Sequence, residues 1–286
     1  MVKGKLVFVP SGGLANRMRA IASAYHLCKE TYSQLEIIWF KDWGMRAGFA
    51  DIFEPMFEDN VVLREANWAD FLINDRPRKK NLWIPFLPQH LLYNDIIDEK
   101  MITPLKKLDF NFYEWLKGKC CYMSCYQIFG SWGGYNTTYK RLFNPTRKVL
   151  SKVDNYKSLF SDYTIGVHIR RTDNQESIEK SPTSRFVEIC LKEREKHPEL
   201  KIFLATDDNS ENGVKQLFTR IFGDKLIMSS SIATRDSISG IQDGLAEMWT
   251  LSQTSQIFGS AGSSYSTMAA AIGNTKLTIV DESVSL

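Results

Sequence analysis

The chain predicts an α/β protein built on mostly parallel sheets, and three observations carry that prediction. Strand-like and helix-like segments alternate from about Asn144 onward, the pattern of a parallel sheet with helices on both faces. The chain opens with a strand, a glycine turn, an amphipathic helix and a second strand, which is a βαβ unit. Several later strands end in charged and polar residues, as strands do where open α/β sheets bind ligands beyond their carboxyl ends. With 286 residues the chain holds two ordinary α/β domains or one large one.

Leu6-Val-Phe-Val-Pro10 is a short apolar strand, followed by Ser11-Gly-Gly-Leu-Ala-Asn-Arg17. Leu14, Met18, Ile21, Ala22, Tyr25 and Cys28 then recur at helical spacing. A strand, a glycine turn and a helix start aim backbone N–H groups at an anion. The same turn also serves plain βα connections, and it lacks the lysine of a P-loop. Leu35-Glu-Ile-Ile-Trp-Phe40 is the second strand. Residues 41–105 read as irregular and aromatic, with Trp43, Trp68, Trp83 and Pro85-Phe-Leu-Pro-Gln-His90. Aromatic faces suit sugar rings, but each tryptophan taken singly is expected to pack in a core. Cys120–Cys125 is a further strand, and Gly130-Ser-Trp-Gly-Gly-Tyr135 is a hinge between halves.

The second half is regular. A helix is predicted over about Pro145–Phe160, then the strand within Tyr163-Thr-Ile-Gly-Val-His-Ile-Arg-Arg-Thr-Asp173. Asn174–Pro182 reads as a polar loop, with Thr183 or Ser184 capping a helix to about Lys196. Strands at Lys201–Asp208, Asp224–Met228, Gln256–Gly259 and Lys276–Val280 alternate with helices at about Ile241–Gln253 and from Ser260–Tyr265 through Ile272.

Three of these strand ends carry complementary chemistry. If the strand persists that far, His168 and Arg170 share one face, so that Arg170 enters the site beside His168 while Arg171 anchors the loop; the other reading is a strand end with solvated arginines and a helix-capping Asp173. Asp207 and Asp208 bring carboxylates, and Ser260–Tyr265 brings hydroxyls and N–H donors at a helix start. Arginines together with a helix terminus describe a diphosphate site. Glu247, on the preceding helix, is read either as a solvated carboxylate or as one that accepts two N–H donors from a guanine edge. The Asp207–Asp208 pair can instead be read as Mg²⁺ ligands with nucleotide phosphates, or as side chains that tie down a loop.

Composition narrows the classes. At 43 % hydrophobic and 24 % charged residues, with a net charge of +3, the chain is a folded protein and not a nucleic-acid binder. The basic run Arg76-Pro-Arg-Lys-Lys80 is short and is expected to be a solvated loop. The five cysteines lack the paired spacing of a zinc site and read as reduced structural thiols. The first strand begins too early for a signal peptide, and no apolar run is long enough to span a bilayer, so a cytoplasmic protein with no membrane span is expected.

Taken together, His168-Ile-Arg-Arg-Thr-Asp173, Ala205-Thr-Asp-Asp208, Leu251-Ser-Gln253 and Gly262-Ser-Ser-Tyr-Ser266 resemble the α1,6-fucosyltransferase superfamily. That group includes nodulation-factor and N-glycan core enzymes, with protein O-fucosyltransferases and plant wall enzymes as more distant relatives. Gly12-Gly-Leu-Ala-Asn-Arg17 is similar to the glycine-asparagine loop that opens the catalytic region in several members. The resemblance is firm over Tyr163–Ile272, thinner at residues 6–30 and absent from about 41 to 140.

The resemblance implies a GT-B architecture: two Rossmann-like domains facing a cleft, residues 1–140 on the acceptor side and 141–286 on the donor side. It implies GDP-fucose as donor, a glycan acceptor, inversion at the anomeric carbon, and no metal or cofactor. Arg170 then holds the β-phosphate, His168 lies near the guanosine, Glu247 reads guanine, and Ser263 and Ser264 bind phosphate. Gly13 and Asn16 contact the donor from the other domain. Arg17, Arg171, Asp173, Asp207, Asp208 and Tyr265 complete the implied donor site. The family's base glutamate falls here on Ile178, flanked by Glu176 and Glu179, with Glu179 the favoured base. Two alternatives stay open, a metal-dependent transferase using Asp207 and Asp208, and a catalytically silent nucleotide-sugar or glycan-binding protein.

Overall fold

The computed structural model describes residues 4–42, 44–131, 136–172, 175–208, 210–229, 233–281 and 283. The chain divides into two compact units, Met1–Asn144 and Pro145–Leu286.

In the first unit the chain runs β1 (Lys5–Pro10), α1 (Leu14–Glu30), β2 (Gln34–Trp39), β3 (Val61–Glu65), α2 (Trp68–Ile73), α3 (Phe86–Leu92), β4 (Asp95–Ile97), α4 (Ile102–Lys107), α5 (Phe112–Leu116), β5 (Cys120–Cys125) and α6 (Asn136–Leu142). The strands pair in parallel in the order β3-β2-β1-β5-β4. Val7, Val9, Ile38, Phe40 and Tyr122 share one buried face. On that side Phe71 of α2 meets Phe40 edge-on at 5.2 Å, and the Tyr122 hydroxyl donates to the Asn74 carbonyl at 2.7 Å.

Residues 41–105 are therefore not irregular, as their lack of periodicity suggested. They hold two strands of the sheet and the helices of one layer. The signal was weak because β3 is a half-exposed edge strand and β4 has only three residues. Nor is the basic run wholly solvated: Arg76 bonds Glu99 at 2.9 Å and Asp42 at 3.4 Å, and Arg78 bonds Asp75 at 2.8 Å. Trp68 and Trp83 are exposed, not packed in the core, and Trp43 lies outside the described residues. The hinge expected at Gly130–Tyr135 also lies largely outside them; within it, Gly130 has φ +77°.

The second unit runs α7 (Arg147–Lys157), β6 (Thr164–Ile169), α8 (Gln175–Lys180), α9 (Thr183–Lys196), β7 (Lys201–Thr206), α10 (Val214–Phe222), β8 (Leu226–Met228), α11 (Ile238–Leu251), β9 (Gln256–Ser260), α12 (Ser264–Gly273) and β10 (Lys276–Val280). Its parallel sheet has the order β10-β9-β6-β7-β8. The first strand, β6, is central, and the winding reverses between β6 and β9, which is the doubly wound Rossmann pattern. Ile165, Val167 and Ile169 point into a core with Phe186, Cys190 and Phe218 of α9 and α10. Their even-numbered neighbours face α11 and α12, which is how His168 comes to stack on Tyr265.

The segment expected as a polar loop after Asn174 contains α8. Helix α9 is not capped by Thr183 or Ser184: Pro182 takes the cap position, and the Thr183 hydroxyl accepts from Arg171 Nε at 3.0 Å. The five cysteines are free thiols, four of them buried. Among the described residues no helix is long and apolar enough to cross a membrane.

Candidate active site

The reversal between β6 and β9 opens a crevice beyond their carboxyl ends, where ligands bind in sheets of this kind. Register pairs His168 with Gly259, so the residues after each strand meet there. The Arg170 N–H donates to Ser260 Oγ at 3.1 Å, stitching the two ends together. Gly259 permits a close approach: a Cβ there would lie 2.7 Å from Ser266 Cβ in the first turn of α12. Gly259→Ala is expected to displace α12 and destabilise the protein by about 1–3 kcal/mol, as overpacking does, measured as a lowered midpoint of denaturation.

The loop after β6 is held from several sides. Asp207 accepts the Arg171 N–H at 2.6 Å and the Thr172 hydroxyl at 2.7 Å, and lies 4.0 Å from Arg170 Nε. Arg171 bonds the carbonyls of Arg170, Ser177 and Ser181 as well as Thr183. It anchors the loop, as its place after the strand led one to expect, with its fork taken up by three carbonyls and Thr183 Oγ. The Ser177 hydroxyl donates to the Ala261 carbonyl, and the Ala261 N–H donates to Ser181 Oγ at 2.8 Å. Ser177 and Ser181 thus fix the turn leading into α12. No local signal marks them, because their partners lie about 80 residues away.

The Asp208 carboxylate accepts from Ser210 N, Ser210 Oγ and Val214 N at 2.7–3.0 Å, tying down the approach to α10. Burial pushes its pKa up, but these bonds outweigh it and hold it below the ordinary value. Asp207 and Asp208 thus direct oxygens at two different loops. Among the described residues no group of three or more His, Cys, Asp or Glu side chains is placed to hold a metal.

Around these strand ends lie buried polar atoms without partners among the described residues. Ser263 sits at the N-cap of α12 without capping it, and its Oγ is buried without a partner among the described residues. The first-turn N–H groups and the positive end of a ten-residue helix therefore lie beside an unused hydroxyl. His168 is buried, stacked on Tyr265 at 4.7 Å, and its Nδ1 also lacks a partner. Burial lowers its pKa to about 4, Asp207 opposing and Arg170 assisting, so the imidazole is neutral at physiological pH. Tyr265 donates its hydroxyl to the Gly244 carbonyl of α11 and serves as a wall. Ser264 is half-buried in the first turn of α12.

Glu247 is buried on α11 and has no salt-bridge partner among the described residues. Burial raises its pKa to about 8, with Lys215 opposing and Asp243 adding to the rise. An unpaired buried carboxyl is costly unless something else bonds it.

The carboxylates implied as bases lie on the exposed side of α8. Glu176 pairs with Lys180 at 2.8 Å and Glu179 accepts from Gln175 at 2.9 Å, both exposed. Ser177 is the residue of α8 turned toward the β9 loop, and Glu179 lies about 200° around the helix from it. The helical turn, unforeseen in a segment read as loop, carries Glu179 to the solvent face. Asp173 lies outside the described residues.

In the first unit, Gly12 adopts φ +77°, which calls for glycine. Gly13 caps α1 without a side chain, and a Cβ on it would meet nothing within 4 Å, so bare backbone is presented at the helix start. Asn16 holds Arg19 at 2.6 Å through its side-chain oxygen. The Arg17 guanidinium is fully buried, bonding the Gly12 and Phe40 carbonyls, paired with Asp42 at 3.1 Å and lying over the Trp39 ring. Burial lowers its pKa to about 10 against the pull of Asp42. It braces the glycine loop through the Gly12 carbonyl.

No protein-family model matches the chain, and no curated protein does. Solved structures do match. The NodZ α-1,6-fucosyltransferase co-crystallised with GDP superposes with a TM-score of 0.64 at 16 % identity, over 94 % of this chain and 92 % of that one. The same enzyme from Bradyrhizobium gives 0.64, 16 %, 94 % and 93 %. A variant of Arabidopsis thaliana FUT1 in complex with GDP gives 0.61 and 14 %, over 97 % of this chain and 70 % of that one. POFUT1 in complex with GDP gives 0.59 and 11 %, over 98 % and 99 %. At these identities what is shared is the fold, and the chain has the two-domain Rossmann-like architecture seen in these fucosyltransferases.

Proposed function

We propose that the protein is an inverting glycosyltransferase that moves fucose from GDP-fucose to a glycan acceptor without a metal. The second unit is the donor side and the first the acceptor side, and the enzyme works in the cytoplasm. The observation that carries the reading is the pairing of two unmet demands at one switch point. The α12 N-terminus and the Ser263 hydroxyl, buried without a partner among the described residues, suit an anion beside Arg170, and Glu247, buried and without a salt bridge among the described residues, suits N–H donors. A guanosine diphosphate supplies both. Its phosphates suit the helix end and the arginine, and its guanine edge offers two N–H groups to a carboxylate. The NodZ and POFUT1 structures with GDP or GDP-fucose support the same assignment by fold.

In the reaction the acceptor hydroxyl oxygen attacks the anomeric carbon opposite the diphosphate, forming the new glycosidic bond. The bond from that carbon to the diphosphate oxygen breaks, and its electron pair leaves with GDP. Arg170 and the α12 N–H groups take up the charge growing on the β-phosphate. The hydroxyl proton passes to a base. With Glu176 and Glu179 on the solvent face of α8, that favours a transition state carried mainly by leaving-group stabilisation. The same observation favours a second reading, a nucleotide-sugar-binding protein without transfer.

A thermal-shift panel of GDP, UDP, CDP and ADP, each with and without EDTA, tests the proposal. Stabilisation by GDP alone, unaffected by EDTA, is expected; a response to another nucleotide, or one that requires metal, overturns it. Release of GDP from GDP-fucose on adding glycan acceptors then separates the transferase from the silent binder. Ser263→Ala is expected to leave the unliganded protein as stable or slightly more so, since a buried hydroxyl without a partner is removed. It should weaken GDP about three- to tenfold, the worth of one hydrogen bond, by titration calorimetry.

A further inference from the structure

Residues 68–92 of the first unit form a layer that is apolar on its outer side. On α2, Trp68, Phe71 and Leu72 recur at helical spacing and all are exposed, Trp68 by 79 %. Helix α3 is turned inside out. Its polar Gln89 is buried and donates to the Asp75 carbonyl at 2.9 Å, while Phe86, Leu87 and Leu91 face solvent. Between the helices, Leu82 and Trp83 take left-handed conformations, φ +51° and +60°. That region is unfavourable for side chains of this size, yet here it turns both residues outward, Leu82 with 78 % exposure.

The turn is braced from within. Asn81 bonds Asp75 at 3.1 Å and the Arg76 carbonyl at 2.8 Å, and accepts from Arg78 N at 2.9 Å. A single exposed leucine needs no explanation, but a braced, strained platform of this size does.

Within residues 68–92 the exposed lysines are the solvent-facing charges, while just beyond the segment Asp95 is exposed and Asp98 accepts the Lys100 N–H at 2.7 Å. The two acidic residues of the segment, Asp70 and Asp75, are buried and bonded to Arg64 and Arg78. Lys79 and Lys80 are exposed, and Lys100 Nζ lies 5.8 Å over the Trp83 ring. Tryptophans and leucines beside lysines are the composition of elements that lie in a membrane interface, with rings and leucines in the acyl boundary and ammonium groups among anionic headgroups.

We propose that the Trp68–Leu92 face, with Lys79, Lys80 and Lys100 at its rim, docks this protein onto an anionic lipid bilayer. The chain rests on the membrane without crossing it. A second copy seated on the same face by two-fold symmetry brings like lysine rims together, which disfavours that occupant.

Co-sedimentation of the full-length protein with vesicles tests this. Vesicles containing about one-third phosphatidylglycerol should bind it and pure phosphatidylcholine should not, with binding falling as salt rises. The double substitution Lys79→Glu and Lys80→Glu should weaken binding about 30-fold, and Leu87→Glu should abolish it. Leu82→Asn should also weaken binding while leaving the thermal midpoint unchanged or higher, because asparagine tolerates the left-handed conformation. Quenching of Trp68 and Trp83 by brominated acyl chains should accompany binding. Failure to bind anionic vesicles, binding indifferent to Leu87→Glu, or a dimer in sedimentation velocity that the same substitutions dissociate would each overturn the proposal.

Discussion

Arg170→Ala is expected to lower kcat by about 10²–10³, the usual cost of removing one group that stabilises transition-state charge, while the acceptor KM changes little. The backbone N–H of Arg170 is bonded to Ser260 and its Nε lies 4.0 Å from Asp207, which keeps the residue at the end of β6, where the proposed reading puts the β-phosphate. An interaction that strengthens as the diphosphate departs acts on turnover more than on binding. Arg170→Lys should recover only part of the loss, because an ammonium keeps the charge but not the planar fork. Steady-state kinetics with GDP-fucose and a glycan acceptor decides the matter. A near-normal kcat in Arg170→Ala removes this residue from the centre of the mechanism. The Arg171→Ala variant behaves differently: its side chain braces four groups of the loop, so its defect should appear in stability as well as in activity.

Glu247→Gln should produce opposite changes in stability and in recognition. Burial raises the Glu247 pKa from 4.5 to about 8. The sign follows from proton linkage. Below the unfolded value both states hold the proton and no stability is lost. As pH rises from 4.5 to about 8 the unfolded chain releases it first, and stability falls across that window. One pKa unit is worth about 1.4 kcal/mol, so the loss is of the order of a few kcal/mol. Glutamine does not titrate, so Glu247→Gln should melt higher than the wild type at pH 8, with a flatter pH profile.

Recognition runs the other way. The ionised carboxylate is the form that accepts two N–H donors, so GDP affinity should rise with pH through about 8 and bind protons out of the site. The variant should lose that dependence, and with it about 10- to 10²-fold in affinity, in line with hydrogen bonds to a charged group. Calorimetry at several pH values in buffers of different ionisation enthalpy measures both. A variant that melts lower at pH 8 and binds GDP as before would show that Glu247 is a packing residue.

The limits of the sequence reading have identifiable physical causes. Strand and helix periods are written along the chain by backbone geometry, so β1, β2, β5 and the regular second half were legible, and Lys276–Val280 coincides with β10. The edge strands β3 and β4 and the six-residue α8 were not, being too short or too exposed to carry a period. Trp68 and Trp83 misled for a different reason: hydropathy predicts which residues are apolar, not whether they are covered.

By itself the sequence determined the two α/β units and which residues stand at the strand ends: His168 and Arg170, Asp207, and Ser260–Ser263. The tertiary structure decided what partners they have. Arg17, Arg171 and Asp208 are bonded by loop carbonyls, N–H groups and Asp42, whereas the Ser263 hydroxyl is buried without a partner among the described residues. Glu247 acquires its function-like character only from being buried without a partner. Residue type sets what a side chain can bond, whereas its partners arrive from segments distant in the chain, and only folding brings those together or leaves one out.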